Sequence, residues 1–245
     1  MTRNLVAVPV YNEIDTVRSV MERIRAFHAG DVLAVDDGST DGSAEALKNL
    51  GWLKILSHTR NLGYGQSLID GLKYAMDEGY DLVVTMDCDE QHEPALIPQM
   101  FSSIGGYDVL SGSRYLTERL ENDPAPGDRL SINRRITDII NRVTGFNLTD
   151  SFCGFKCYRV SALRALALDE PGYAQPLQFW IQAFKFGLSV KEAPIPRIYK
   201  NLNRSFGAVL DDPEKRFEYY RQVIEKEIQR WSISSPLGRT RTTSS

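Results

Sequence analysis

The sharpest local feature of this 245-residue chain is Met86-Asp87-Cys88-Asp89-Glu90-Gln91-His92-Glu93-Pro94. Asp87 and Asp89 stand one residue apart, with the Gln91 amide two further on. Such oxygens suit Mg²⁺ or Mn²⁺, which usually keep waters and substrate phosphates as their other ligands. An isolated Asp-x-Asp is common, and His92 by itself reads as a surface or capping residue rather than a ligand. A second acidic segment, Val35-Asp36-Asp37-Gly38-Ser39-Thr40-Asp41-Gly42-Ser43, combines carboxylates with turn-forming glycines. Its carboxylates could accept hydrogen bonds from a nucleobase N–H or ribose hydroxyls, and Asp41 or Ser43 could cap the next helix. Asn61-Leu62-Gly63-Tyr64-Gly65 resembles half a phosphate-binding glycine loop, but lacks the third glycine and any Gly-Lys-Ser/Thr. It reads as a turn lining a pocket at best.

These segments need elements to position them. Apolar runs at residues 5–10, 32–35, 53–56 and 82–86 read as strands, and the periodic stretches between them as helices. That alternation predicts an α/β layered sheet, mostly parallel. In such sheets ligands bind beyond the carboxyl ends of the strands, where loops and helix N-termini converge. The strand ends here are Pro9-Val10-Tyr11-Asn12-Glu13, Asp36-Asp37-Gly38-Ser39, Asp87-Cys88-Asp89 and Ser111-Gly112-Ser113-Arg114. One acidic strand end alone is more often a helix cap, but several together would repel unless a cation or hydrogen-bond donors offset them. Proline at 94 suits a first helical turn. Further on, 118–128 reads as a mobile loop, 132–143 and 177–186 as helices, and 155–158 and 188–195 as extended. A last helix over 213–231 carries Phe217, Tyr220, Ile224, Ile228 and Trp231 on one stripe. The tail, 232–245, has too few apolar residues to pack.

Composition narrows the partners. With 42% hydrophobic residues the chain fits one domain with a full core. A net charge of −3 and a pI near 5.7 leave no positive field for nucleic acid. No apolar run approaches the ~20 residues of a membrane span, so a bilayer would be touched only peripherally. Cys88, Cys153 and Cys157 lack the paired spacing of a zinc site and read as reduced thiols of a cytoplasmic protein.

In this order the motifs resemble the family 2 inverting glycosyltransferases of the GT-A fold, closest to the dolichyl-phosphate mannose synthase branch. Gly112-Ser113-Arg114-Tyr115 and Asp150 with Cys153-Gly154-Phe155-Lys156 extend the match, which runs from about residue 5 to 207. The resemblance implies a single Rossmann-like GT-A domain over 1–231, with three layers, a C-terminal helix and a sugar-nucleotide donor. Pro9, Tyr11, Glu13, Val35 and Asp37 would hold the nucleoside, with Cys88 beside them. Asp87, Asp89 and Gln91 would hold Mg²⁺ or Mn²⁺ on the donor diphosphate. Arg114 matches an arginine facing the phosphates, and a later basic position falls at Arg134 or Arg135, where a solvated helix face is the plainer reading. The branch carries Arg-x-x-Gly-x-Ser-Lys after its last strand. Here Arg204-Ser205-Phe206-Gly207-Ala208-Val209-Leu210 keeps the arginine and glycine, but puts Val209 and Leu210 where Ser and Lys would stand. The phosphate contact of that lysine would fall to another residue, such as Lys200.

The acceptor follows from where a base could stand. A hydroxyl acceptor needs a general base, whereas an acceptor phosphate is already a nucleophile. Relatives that glycosylate hydroxyls commonly place an aspartate base on the helix that reads 176–182 here, and that stretch has no carboxylate. The expectation is a hexose moved from a GDP-mannose or UDP-glucose type donor to a polyprenyl phosphate, beside the inner membrane surface. Asp150 would be the base if there is one, or else a structural hydrogen-bonding group. A glycan or small-molecule hydroxyl acceptor, and a non-catalytic sugar-nucleotide-binding protein, remain alternatives. Phe179, Trp180, Phe184 and Phe186 would form either core or an acceptor rim, and the last helix would pack on its own domain or a second copy.

Overall fold

The computed structural model describes residues 2–117, 123, 127–198, 207 and 209–234. Short apolar runs bounded by turns form β1 (Asn4–Val10), β2 (Asp31–Asp36), β3 (Lys54–Ser57) and β4 (Leu82–Thr85), separated by α1 (Val17–Phe27), α2 (Ser43–Lys48) and α3 (Tyr64–Asp77). Helical crossovers of this kind return the chain to a parallel neighbour, and β1 pairs in parallel with β2 and β4 while β2 pairs with β3. The segment after β4 starts as a 3₁₀ turn at Pro94–Leu96, where the Glu93 carboxylate accepts from the Ala95 N–H, and continues as α4 (Ile97–Ser103). Then come β5 (Val109–Ser113), α5 (Gly127–Thr144), β6 (Lys156–Arg159), α6 (Val160–Leu163), α7 (Gln175–Lys185), β7 (Val190–Pro194) and α8 (Pro213–Arg230).

The strands join in one sheet of order β3-β2-β1-β4-β6-β5-β7. Only β6 runs against its neighbours, antiparallel to both β4 and β5, while β7 is again parallel to β5. One face buries Leu72, Ile136, Ile140, Phe179, Trp180, Tyr220 and Ile224, from α3, α5, α7 and α8. The other buries Val17, Met21, Ile24, Leu47, Ile97 and Met100, from α1, α2 and α4. Apolar surface is thus removed from water on both sides of the sheet, giving the expected three layers.

Some expectations change, and some open alternatives are decided. Gly127 and Asp128, placed in a loop from sequence, already belong to α5; residues 118–122 and 124–126 lie outside the described residues, as do 235–245 of the tail. The stripe on α8 is internal: Tyr220 and Ile224 sit in the core with α5 and α7, so that stripe is not a free face for a second copy. Phe179 and Trp180 are likewise core, with the Trp180 indole N–H donating to the Ser151 carbonyl. Phe184 and Phe186 lie toward the surface, beside Phe146 and Trp231. Among the described residues no helix is long and apolar enough to cross a membrane.

Candidate active site

The carboxyl ends of β1, β2, β4 and β5 open onto one cleft of about 920 Å³, within the size range of small-molecule sites. Pro9, Tyr11, Glu13, Asp37, Asp87, Cys88, Asp89, Gln91 and Arg114 all line it. Two lining residues carry left-handed backbone without being glycine, Asn12 at φ 53° and Glu90 at φ 60°. Such conformations cost energy and persist where surrounding contacts enforce them. Asn12 is held by Thr40, whose N–H donates to its side-chain oxygen at 2.8 Å. The loop carrying Glu90 is tied to α1: the Thr16 hydroxyl donates to the Cys88 carbonyl at 2.7 Å, and Arg23 pairs with Glu93.

Asp87 is held through both its side chain and its backbone. Its Oδ1 accepts from the Tyr64 hydroxyl at 2.8 Å, and its backbone N–H donates to His92 Nδ1 at 3.1 Å. His92 therefore is not the surface residue the sequence suggested: it is buried, stacked on Phe155 and neutral, because burial lowers its pKa and Nδ1 must be free to accept. Burial and the Asp87 charge together push the Tyr64 phenol well above its ordinary pKa, so it remains a donor. Gly154 provides the floor. A Cβ there would lie 2.6 and 2.8 Å from the two Asp87 oxygens. Asp89, half-buried on the same loop, accepts the Gln91 N–H at 3.1 Å.

This donor set fits a hard divalent cation. Among the described residues no three His, Cys, Asp or Glu side chains converge as a protein-only metal cage. Two cleft-facing carboxylates with an amide nearby instead match the open, oxygen-rich coordination of Mg²⁺ or Mn²⁺, completed by water and phosphate.

Asp37 turns out to be largely occupied within the protein. It accepts from the Leu62 and Gly63 N–H groups at 2.8 and 2.9 Å, and its Oδ1 stands 2.7 Å from His58 Nδ1. His58 in turn reaches Asp70 at 3.1 Å. Oδ2 retains capacity for about one more bond, so the chief work of Asp37 is to fix the 61–63 turn at the cleft wall. Val35 is corrected more fully. Its side chain lies in the core against α3, where a Cβ on Gly71 would meet it at 3.6 Å, and it does not line the cleft.

At the other end, Arg114 is joined bidentately to the fully buried Asp150. Burial alone would raise the Asp150 pKa, but the Arg114 charge and hydrogen bonds from Arg114 and Asn133 outweigh it and hold the carboxyl below its usual range. A carboxylate so held is a poor proton acceptor, and its two bonds to Arg114 place it to orient that guanidinium. Arg134 is exposed on α5 and outside the cleft; Arg129, nearer the helix start, lines it instead. Arg204 and Lys200 lie outside the described residues.

The 61–65 turn lines the cleft through Asn61, Gly63 and Tyr64, whereas the sequence reading missed Arg129, Tyr173, Arg216 and Tyr220 as cleft residues. Arg216, buried on α8, pairs with Asp128 of α5 at 2.6 Å. A buried arginine on an otherwise amphipathic helix gives no periodic signal. Tyr64 is flanked by Gly63 and Gly65, whose missing side chains admit the 170–172 backbone: a Cβ on either would fall 2.3 Å from a carbonyl oxygen of Glu170 or Pro171.

The Glycosyl transferase family 2 profile matches residues 5–167. The chain belongs to this family and is a glycosyltransferase. It is 30% identical over 212 residues to the undecaprenyl-phosphate mannosyltransferase of Micrococcus luteus, spanning 83% of this chain and 86% of that one. It is 26% identical over 249 residues to the polyprenol monophosphomannose synthase of Mycolicibacterium smegmatis, spanning 98% and 90%. Among solved structures, glucosyl-3-phosphoglycerate synthase of Mycobacterium tuberculosis, in complex with Mn²⁺, uridine diphosphate and glucosyl-3-phosphoglycerate, superposes with a TM-score of 0.69 at 20% identity, covering 96% of this chain and 82% of that one. The fold of this glycosyltransferase is GT-A.

Proposed function

We propose that this glycosyltransferase moves a hexose, with inversion, from a nucleoside-diphosphate sugar of the GDP-mannose or UDP-glucose type to a polyprenyl phosphate. The observation that carries the reading is the convergence of Asp87 and Asp89 with Arg114 on one cleft. Pro9, Tyr11 and Glu13, with the turn fixed by Asp37, would hold the nucleoside, and residues 1–231 would carry both substrate sites. Asp87 and Asp89 would hold Mg²⁺ or Mn²⁺, as expected of a fold whose solved relative binds Mn²⁺ and uridine diphosphate. Bound there, the cation would neutralise charge on the departing diphosphate.

Arg114, aimed by Asp150, would offer fixed donors to the phosphates, stabilisation that costs no reorganisation during reaction. An acceptor phosphate oxygen would attack the anomeric carbon opposite the leaving group. The carbon–oxygen bond to the diphosphate breaks, and its electron pair stays on the nucleoside diphosphate. No proton need be removed from the nucleophile. This agrees with an Asp150 engaged by Arg114 and with the polyprenyl-phosphate chemistry for which the Micrococcus and Mycolicibacterium relatives are named. The enzyme would meet such an acceptor peripherally, at the membrane surface.

The test is purified protein with labelled GDP-mannose or UDP-hexoses, Mn²⁺ and detergent-dispersed polyprenyl phosphate. Label should enter the lipid extract, and chelation should stop it. No lipid-extractable label with any of these donors would overturn the assignment.

A further inference from the structure

Asn61-Leu62-Gly63-Tyr64-Gly65 enters the proposed reaction only as a turn beside the nucleoside, yet it also delivers a phenol to the Asp87 carboxylate. Gly63 and Gly65 let the 170–172 segment pack against the start of α3. Tyr64, the first residue of that helix, stacks on Tyr173 with ring centroids 5.7 Å apart and an interplanar angle of 18°. Its hydroxyl thereby reaches Asp87 Oδ1 at 2.8 Å, while Gly154 packs against both oxygens of the same carboxylate and against the Tyr64 hydroxyl. With Oδ1 occupied by a donor, rotation of the carboxylate is restrained and Oδ2 is left for a cation. Outer hydrogen-bond partners of metal-ligating side chains set their orientation and affinity.

We propose that Tyr64 is a positioning residue that sets the divalent-cation affinity of the site through Asp87. The proposal rests on the metal reading of Asp87 and Asp89. Its test is titration of Mn²⁺ into wild type, Tyr64→Phe, Asp87→Ala and the double variant, following binding of a nucleoside diphosphate by calorimetry. Metal-free nucleotide binding serves as the control for an intact fold. Tyr64→Phe should raise the Mn²⁺ concentration for half-saturation about tenfold or more and leave metal-free binding unchanged. In the Asp87→Ala background the same change should add nothing, as two groups acting through one contact require. If wild type is Mn²⁺-dependent but Tyr64→Phe titrates identically, or if its effect persists without Asp87, this inference fails alone. If wild type binds nucleotide equally with and without Mn²⁺, the metal reading fails and takes the inference with it.

Discussion

Arg114 and Asp150 meet through two nitrogens and two oxygens: Nε lies 2.6 Å from Oδ2 and a terminal nitrogen 2.9 Å from Oδ1. The carboxylate is fully buried, the guanidinium nearly so. Breaking one side of such a pair strands the other charge, so Arg114→Ala should destabilise the fold by about 3–5 kcal/mol, read by denaturant unfolding. The folded-state pKa of Asp150 lies below its ordinary 3.8, so its stabilising effect is fully present above that pH and lost as pH falls below it. Asp150→Asn should flatten that acid limb of the stability curve. It should also lower kcat, because Arg114 loses its orienting partner.

Gly154→Ala tests the floor under Asp87. The added Cβ would collide with both carboxylate oxygens and with the Tyr64 hydroxyl, each under 3.0 Å away. Far-ultraviolet circular dichroism should be unchanged, while Mn²⁺-dependent nucleotide binding should weaken by about tenfold or more.

Asp37→Asn should weaken nucleoside diphosphate binding about tenfold, measured by calorimetry, through loss of roughly one well-placed hydrogen bond. An amide nitrogen in place of one oxygen opposes either the Leu62 and Gly63 N–H donors or His58. The turn at the cleft wall then loses its anchor.

Glu227 is a fully buried carboxylate on α8 that accepts from Gln178, Gln182 and the Trp231 indole at 2.8–2.9 Å. Glu227→Ala would remove the shared acceptor of these three donors and of Arg230, at 3.3 Å, where α8 meets α7. A loss of roughly 3 kcal/mol is expected, seen as a fall in Tm of about 6–12 °C.

Much of the site was legible because parallel strands deliver their carboxyl ends to one edge. Knowing where β1, β2, β4 and β5 stop was enough to bring Glu13, Asp37, Asp87 and Arg114 together. Which partner each side chain takes was not legible. His92 looked like a polar loop residue because its burial depends on Phe155, a neighbour far along the chain. Asp150 looked like a candidate base because nothing local says that Arg114 will hold it. Val35 was carried over by motif position, whereas the strand's alternation turns its side chain to the α3 face. Strand direction was equally hidden, since apolar periodicity is the same read either way along β6.

The reversed strand has a mechanical consequence. β6 is hydrogen-bonded on one side to β4, which ends in the Asp87 loop, and on the other to β5, which ends at Arg114. The Asp87 loop and Arg114 therefore belong to one continuous ribbon of backbone bonds, with no hinge between them. Any closure around substrates would have to come from loops moving over a stationary floor rather than from two lobes swinging together.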